Sequence, residues 1–396
     1  MREIVRVECK RILNIKTLGL ILIIVLAISI FSSVNNFTSY NLYDSSGKVV
    51  LSAKDNLAES KKSDHNKALD SEALMDVING VDKSNYLYNM NTIRVVLSTY
   101  NEKHISEMTK EDMDHFYEQR IAALETGALR PLGIFTDEQI EHLLSKASQL
   151  EAPMQVGYAE GWKNLNNDMA DLLVIILMIL SVILLPVFGG TAKTNMNELC
   201  LSTKHGKSIF IKAKMIAGLE ITSLVYVASV FILTIAQLSV FGTNGYNLVI
   251  QSDVFYLFST YNITFLEQYI LNVVMGYTAV LFMTSIIFLI TVITEQIIAG
   301  GVLTTFFWIM MFTLPSNLFT SVGITHNLSN FLPYNMTNFN KFFRNNEIYE
   351  VFGQMIPSYL WVMIVTLVIT ACLTVATNIV ADLKISKKFE IITYRK

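Results

Sequence analysis

Charge is scarce in this chain. Asp, Glu, Lys and Arg make up 16% of 396 residues, hydrophobic residues make up 52%, and mean hydropathy is +0.43. Two soluble domains would be the expectation from length alone, but a soluble core does not need this much apolar surface; a bilayer-embedded bundle does. Cysteine is nearly absent. Cys9, Cys200 and Cys372 all lie outside the long polar stretch and no pair has metal-ligand spacing. A disulfide framework and a zinc site are therefore excluded. Also missing are a Ser/His/Asp set, a paired-carboxylate arrangement and a His-Glu-x-x-His helix. No catalytic residue, cofactor or metal is expected on this chain, and no nucleic-acid partner.

What is present is a set of six apolar runs, at about 18–34, 170–188, 215–239, 269–293, 297–314 and 359–381. At about 1.5 Å per helical residue, runs of this length cross a hydrocarbon core of about 30 Å. The first is short and needs its flanks to help. Only Thr294-Glu295-Gln296 separates the fourth from the fifth, which makes them a tight hairpin or one broken helix.

Basic residues set the orientation. Segments 1–17, 189–214 and 382–396 hold Arg2, Arg6, Lys10, Arg11 and Lys16, then Lys193, Lys204, Lys207, Lys212 and Lys214, then Lys384, Lys387, Lys388, Arg395 and Lys396. Outside the long loop only Lys341 and Arg344 remain. This positive-inside pattern places both termini in the cytoplasm, with six crossings. A cleaved signal peptide over the first run is the alternative; it would leave five spans and force the basic tail outside.

The expected organisation is an all-α integral membrane protein. Residues 1–16 form an amphipathic surface helix, 17–34 the first span and 35–169 an extracytoplasmic helical domain. Residues 170–381 form a five-span domain containing the loop 189–214, and 382–396 a basic tail. In 1–16, Met1, Ile4, Val5, Ile12 and Ile15 fall at helical spacing opposite Arg and Lys, a pattern suited to the membrane surface. The loop 35–169 carries thirteen basic and twenty-one acidic residues. Thr136-Asp137-Glu138-Gln139 reads as a capping box, and Thr109-Lys110-Glu111-Asp112 as another. Tyr158 and Trp162 precede the second span, where interfacial aromatics sit.

Residues 201–214, LSTKHGKSIFIKAK, contain the Gly-Lys-Ser ending of a phosphate-binding loop. That loop needs an earlier glycine whose backbone can wrap the phosphates, and Leu201 stands there. A membrane span precedes it instead of a buried strand, and another span follows. Nucleotide binding is not expected.

The same connection, NELCLSTKHGKSIFIKAK, resembles the cytoplasmic loop of ABC transporter permeases of the type-2 exporter class. The matching positions are Glu198, Leu201, Ser202, Thr203, Lys207 and Lys212 or Lys214; Lys204 replaces the usual Pro and Lys207 the usual Arg. The layout is similar too: a surface helix, six spans, a large outer domain after the first span, and LPYNMTNF (332–339) before the last. The motif covers about 20 residues and the layout most of the chain. The resemblance implies a coupling loop that docks on a separate ATPase subunit carrying ATP and Mg. It also implies a second permease subunit, the same chain or a related one, an exported substrate and a bacterial cell membrane. The partner-binding residues would be Glu198, Leu199, Leu201, Ser202, Thr203, Lys204, Gly206 and Lys207. Leu199 and Leu201 supply an apolar anchor within a basic rim.

Four ionisable residues lie in or near spans: Asp171, Glu220, Glu267 and Glu295. Charge inside a membrane is costly, so each is a functional candidate, and Glu220, deepest in a run, is the candidate for a transport path. His104, His115 and His142 read as surface residues of the outer domain. Gly300-Gly301 reads as a close helix approach. Two other functions fit the same layout, a stand-alone secondary transporter or channel, and a receptor or scaffold whose outer domain binds a peptide.

Overall fold

The computed structural model describes residues 1–62, 67–79, 96, 107–189, 206–313 and 328–394, with backbone alone at 206–207 and 385–394. Helix dominates. The chain opens with α1 (Arg2–Ile12) and α2 (Ile15–Ser39). A cap region follows, with α3 (Ala53–Lys62), α4 (Ser71–Ile78), α5 (Lys110–Asp114), α6 (Phe116–Leu124) and α7 (Asp137–Ala147). The long helices α8 (Glu160–Ile183), α9 (Gly206–Phe241) and α10 (Phe265–Thr294) come next, then α11 (Ile297–Thr313). Two short helices, α12 (Pro333–Met336) and α13 (Phe339–Arg344), lead to α14 (Ser358–Tyr394). Among the described residues, strand pairing consists of three two-stranded antiparallel ribbons and an isolated bridge between Val249 and Thr264. The longest joins Ile348–Val351 to Gln354–Pro357.

Five helices, α2, α8, α9, α10 and α14, are long and apolar enough to cross a membrane, and α11, at 17 residues, is a shorter apolar helix. This is a multi-pass membrane architecture. Of the apolar window of α10, 61% is buried, against 22% in α2 and in α14. Thus α10 is the hub, and the other two lie at the periphery with Ile23, Phe31, Val368 and Val375 exposed.

Helix ends depart from the apolar runs where packing overrides hydropathy. The first helix stops at Ile12, because Leu13 turns extended and Asn14 caps the next helix by accepting from the Thr17 N–H at 2.8 Å. Of the apolar face expected in 1–16, Val5 and Ile12 are buried against α9, while Met1 and Ile15 are exposed. Helix α2 continues five residues past the expected end at 34, through Asn35, Asn36 and Ser39. Helix α8 begins ten residues before the expected start at 170, since Leu165, Asn166 and Met169 in that polar stretch face the core. The tail from 382 continues α14. Between α10 and α11 the chain turns tightly at Glu295, which takes a left-handed conformation with φ 55°.

The cap is built on both expected capping boxes, at Thr109/Asp112 and Thr136/Gln139. It is not made of 35–159 alone. Its core, Leu69, Leu74, Phe116, Met154 and Val156, includes Leu257 from the α9–α10 connection. A neighbouring cluster around Leu124, Ile140 and Leu143 packs against Phe258 and Ile348. The fully buried Arg120 crosses the join, donating from Nε to the Leu257 carbonyl at 2.7 Å and from Nη2 to the Ser259 carbonyl at 3.1 Å. Where α8 leaves the cap it crosses the end of α9 at Gly161, and a Cβ there would stand 2.1 Å from the Gly242 carbonyl oxygen.

Candidate functional site

At the end of the bundle opposite the cap, α8 gives way to turns at Leu184–Gly189, and α9 starts at Gly206. The carbonyls of Pro186 and Val187 lie past the end of α8, outside its hydrogen-bond ladder. Arg11 of α1 reaches them. Its Nη1 donates to the Pro186 carbonyl at 3.0 Å and its Nη2 to the Val187 carbonyl at 3.1 Å, with Glu8 held at 2.7 Å. From the same helix the Cys9 thiol donates to Glu220 Oε2 at 3.5 Å on α9. Thus α1 links the turns after α8 to α9 at a point about four helical turns beyond its start at Gly206. Burial, and then the neighbouring Glu220 carboxylate, push the Cys9 thiol up to about 11.

Of the residues expected to bind a partner on this connection, Glu198, Leu199, Leu201, Ser202, Thr203 and Lys204 lie outside the described residues, as does His205. Gly206 and Lys207 form the first turn of α9. Lys212 is exposed, but Lys214 is buried, its ammonium 4.5 Å from the Phe210 ring centroid and 5.7 Å from that of Phe188. Phe188 packs edge-on against Phe288 of α10 at 6.0 Å. On the same end, Lys384 of α14 donates to the Ile293 carbonyl at 2.5 Å and pairs with Glu295 at 3.5 Å. A Cβ at Gly301 would meet Leu185 at 3.6 Å, an ordinary contact, and one at Gly300 would stand 3.3 Å from Thr294 Oγ1, so the close helix approach expected at this glycine pair is not found.

The intramembrane candidates separate once they are placed. Glu220 is exposed and faces α1. Glu267 completes a capping box with Thr264, its Oε2 accepting from the Thr264 N–H at 2.8 Å. The Thr-x-x-Glu spacing carries that signal in the sequence. Asp171 is exposed. The carboxylate drawn into the helix packing is Asp168, one turn earlier, which the sequence reading passed over. It accepts from Ser32 and Asn36 of α2, the latter at 2.8 Å, and from Gln237 of α9. A second polar knot lies between α8 and α10. Asn272 donates to Asn166 at 2.9 Å, and Asn166 to Gln268 at 3.2 Å, all three side chains being buried. Between α9 and α10, Thr222 and Thr284 lie 3.0 Å apart, and Ser223 and Tyr277 2.7 Å apart.

On the cap, a groove of about 600 Å³ is lined by Gly127, Ala128, Leu129, Pro131 and Leu132, by Val254, Phe255, Leu257, Phe258 and Ser259, and by Arg344, Asn345 and Asn346. Asn346 forms its floor, accepting from the Thr260 N–H at 2.8 Å and donating to the Phe258 carbonyl at 2.8 Å. His115 is exposed beside Glu118, which raises its pKa. His104 lies outside the described residues. Among the described residues, no group of three or more His, Cys, Asp or Glu is placed to hold a metal ion.

No family model, curated protein or solved structure matches the chain.

Proposed function

We propose that this chain is the permease subunit of an ABC exporter in a cell membrane. It has six spans, α11 being the fifth, with both termini in the cytoplasm and the cap outside. The ATPase is a separate subunit that carries ATP and Mg and docks on the connection between α8 and α9. Two permease subunits form the pathway. Nucleotide-driven closure of the ATPases loads that connection and shifts the spans between inward-open and outward-open packings.

The observation that carries the reading is the way α1 ties the turns where the connection leaves α8 to the body of α9. Arg11 holds the Pro186 and Val187 carbonyls on one side, and Cys9 meets Glu220 on the other. A push on a segment anchored in this way reaches α8 and α9 together, and through Phe188 and Phe288 it reaches the hub α10. Basic residues concentrated at this end agree with a cytoplasmic location.

The test is affinity purification of the tagged full chain from its native membranes. An ABC ATPase is expected to co-purify, and the isolated chain is expected neither to bind nor to hydrolyse ATP. Saturable ATP binding by the chain alone, lost on Lys207→Ala, would overturn the reading. A stand-alone transporter is the second reading. In its favour stands Asp168, a carboxylate inside a candidate span with no cationic partner among the described residues. Substrate movement in proteoliposomes without ATPase or ATP would select it.

A further inference from the structure

The geometry points to a binding site for a monovalent alkali cation at Asp168, where α2, α8 and α9 meet near the cap end of the bundle. This inference holds whether or not an ATPase drives the chain.

Three observations converge there. First, the charge is uncompensated. The Asp168 carboxylate is half-buried where α8 meets α2 and α9, and the groups that contact it are neutral: the Ser32 hydroxyl, the Asn36 amide and the Gln237 amide. A carboxylate in this environment needs a cation or a proton as well as hydrogen bonds. The nearest further titratable group on α8, Asp171, is also acidic and adds to the negative potential. Second, oxygen is in surplus. Gln237 is fully buried and reaches both Asp168 and Ser32 with Nε2, while its Oε1 has no partner. Turning that amide over brings the oxygen to the carboxylate, an arrangement that becomes favourable when a cation lies between them. Third, the serines of α2 leave donor sites unused. Ser29, Ser32, Ser33 and Asn36 fall within about 100° of arc at 3.6 residues per turn. Ser29 and Ser33 are buried with unpartnered hydroxyls. Several hydroxyls in the other helices bond back to the carbonyl four residues earlier, as Ser181, Ser223, Thr278 and Thr370 do, although Ser229 and Thr304 are also without a partner. What sets Ser29 and Ser33 apart is that they share a face with Ser32 and Asn36, which contact Asp168.

The ligand set decides the class of ion. Oxygen-only donors suit a hard cation. One carboxylate with hydroxyl and amide oxygens balances a single positive charge, and a divalent ion would call for more acidic ligands. Water could satisfy the hydroxyls but would leave the carboxylate charge uncompensated. Asp168 is half-buried, so an ion can reach it without unfolding the bundle. Once bound, it would tie α2 to α8 and α9.

The test uses the purified full-length chain in detergent. Its thermal unfolding midpoint is followed while NaCl or KCl replaces choline chloride at constant ionic strength. A ligand that binds the folded state raises the midpoint saturably. The expected result is a rise of several degrees with an alkali ion and none with choline. Asp168→Asn should abolish the rise. Ser32→Ala should raise the half-saturating concentration about fivefold, the scale of one neutral ligand lost. Glu350→Gln, an exposed change on the distant ribbon, should leave it unchanged. Equal midpoints in all three salts would overturn the proposal, as would an alkali-specific rise that persists in Asp168→Asn. If Asp168→Asn does not fold, the wild-type salt series and the Ser32→Ala shift decide.

Discussion

At the scale of single residues, the ionisable groups in and near the helices do different work. Glu267 caps a helix, Glu295 turns a corner, Glu220 holds α1 and Asp168 joins three helices. Sequence position told these apart poorly. Asp168 and Asp171 lie one helical turn apart in the same stretch, and only the direction each faces distinguishes them. That direction is set by α2 and α9, which no local pattern in 160–175 records. The Cys9–Glu220 contact makes a chemical prediction. With its pKa pushed from 9.0 to about 11, the thiol is more fully protonated than an ordinary one. At pH 8 it should hold on the order of a hundredfold less reactive thiolate. In a background lacking Cys200 and Cys372, maleimide labelling of the folded chain should be slow at pH 8 and accelerate up to about pH 11. Glu220→Gln removes a negative charge and an acceptor that oppose ionisation, so labelling should become faster at pH 8. Rapid wild-type labelling at pH 8, unchanged by Glu220→Gln, would contradict the contact.

At the scale of elements, the apolar runs were legible and their ends were not. Every run gave a helix, because twenty or so apolar residues leave few other ways to satisfy the backbone in lipid. The extensions through Asn35–Ser39 and Glu160–Met169 were hidden, because polar residues within them, Asn36, Asn166 and Asp168, bond to other helices. The capping boxes at Thr109 and Thr136 were readable from four residues each, being local hydrogen-bond devices. The crossing of α8 over the end of α9 was not readable, since Gly161 and Gly242 are 81 residues apart in sequence. It yields a clear prediction. A side chain at Gly161 would overlap the Gly242 carbonyl, which is backbone and cannot step aside. Gly161→Val should therefore force the helices apart and cost about 3 kcal/mol or more of stability, as severe overpacking does. Gly127→Ala, at a helical position with open space around it, should be neutral or stabilise by up to about 1 kcal/mol, because alanine is the better helix former. Unfolding midpoints of the two variants check this, and equal values would show that the crossing is looser than described.

For the whole molecule, the arrangement is a bundle with a polar cap at one end and a basic, braced connection at the other. The cap was only partly foreseeable as residues 35–169. Its core borrows Leu257, Phe258 and Ile348 from later connections, and Arg120 fastens the parts together. Such long-range sharing leaves no local pattern. It makes the cap a single body attached to α9, α10 and α14 as well as to α2 and α8, so a rearrangement of the spans would carry the cap with it. At the other end, α1, the turns after α8, the start of α9, the α10–α11 turn and the end of α14 gather within contact of one another. That gathering suits a docking face. The anchor proposed for it, Leu201, lies in the connection itself, and a buried anchor typically contributes about 2 kcal/mol or more to association. The most direct measurement is co-purification of the ATPase with full-length chains carrying Leu201→Asp or Lys207→Glu, read alongside ATP-driven transport. The account predicts that Leu201→Asp loses both the ATPase and transport while the protein still inserts in the membrane. Lys207→Glu should weaken binding less and in a salt-sensitive way, as a screened rim charge would. Full co-purification and full coupled transport by Leu201→Asp would contradict it.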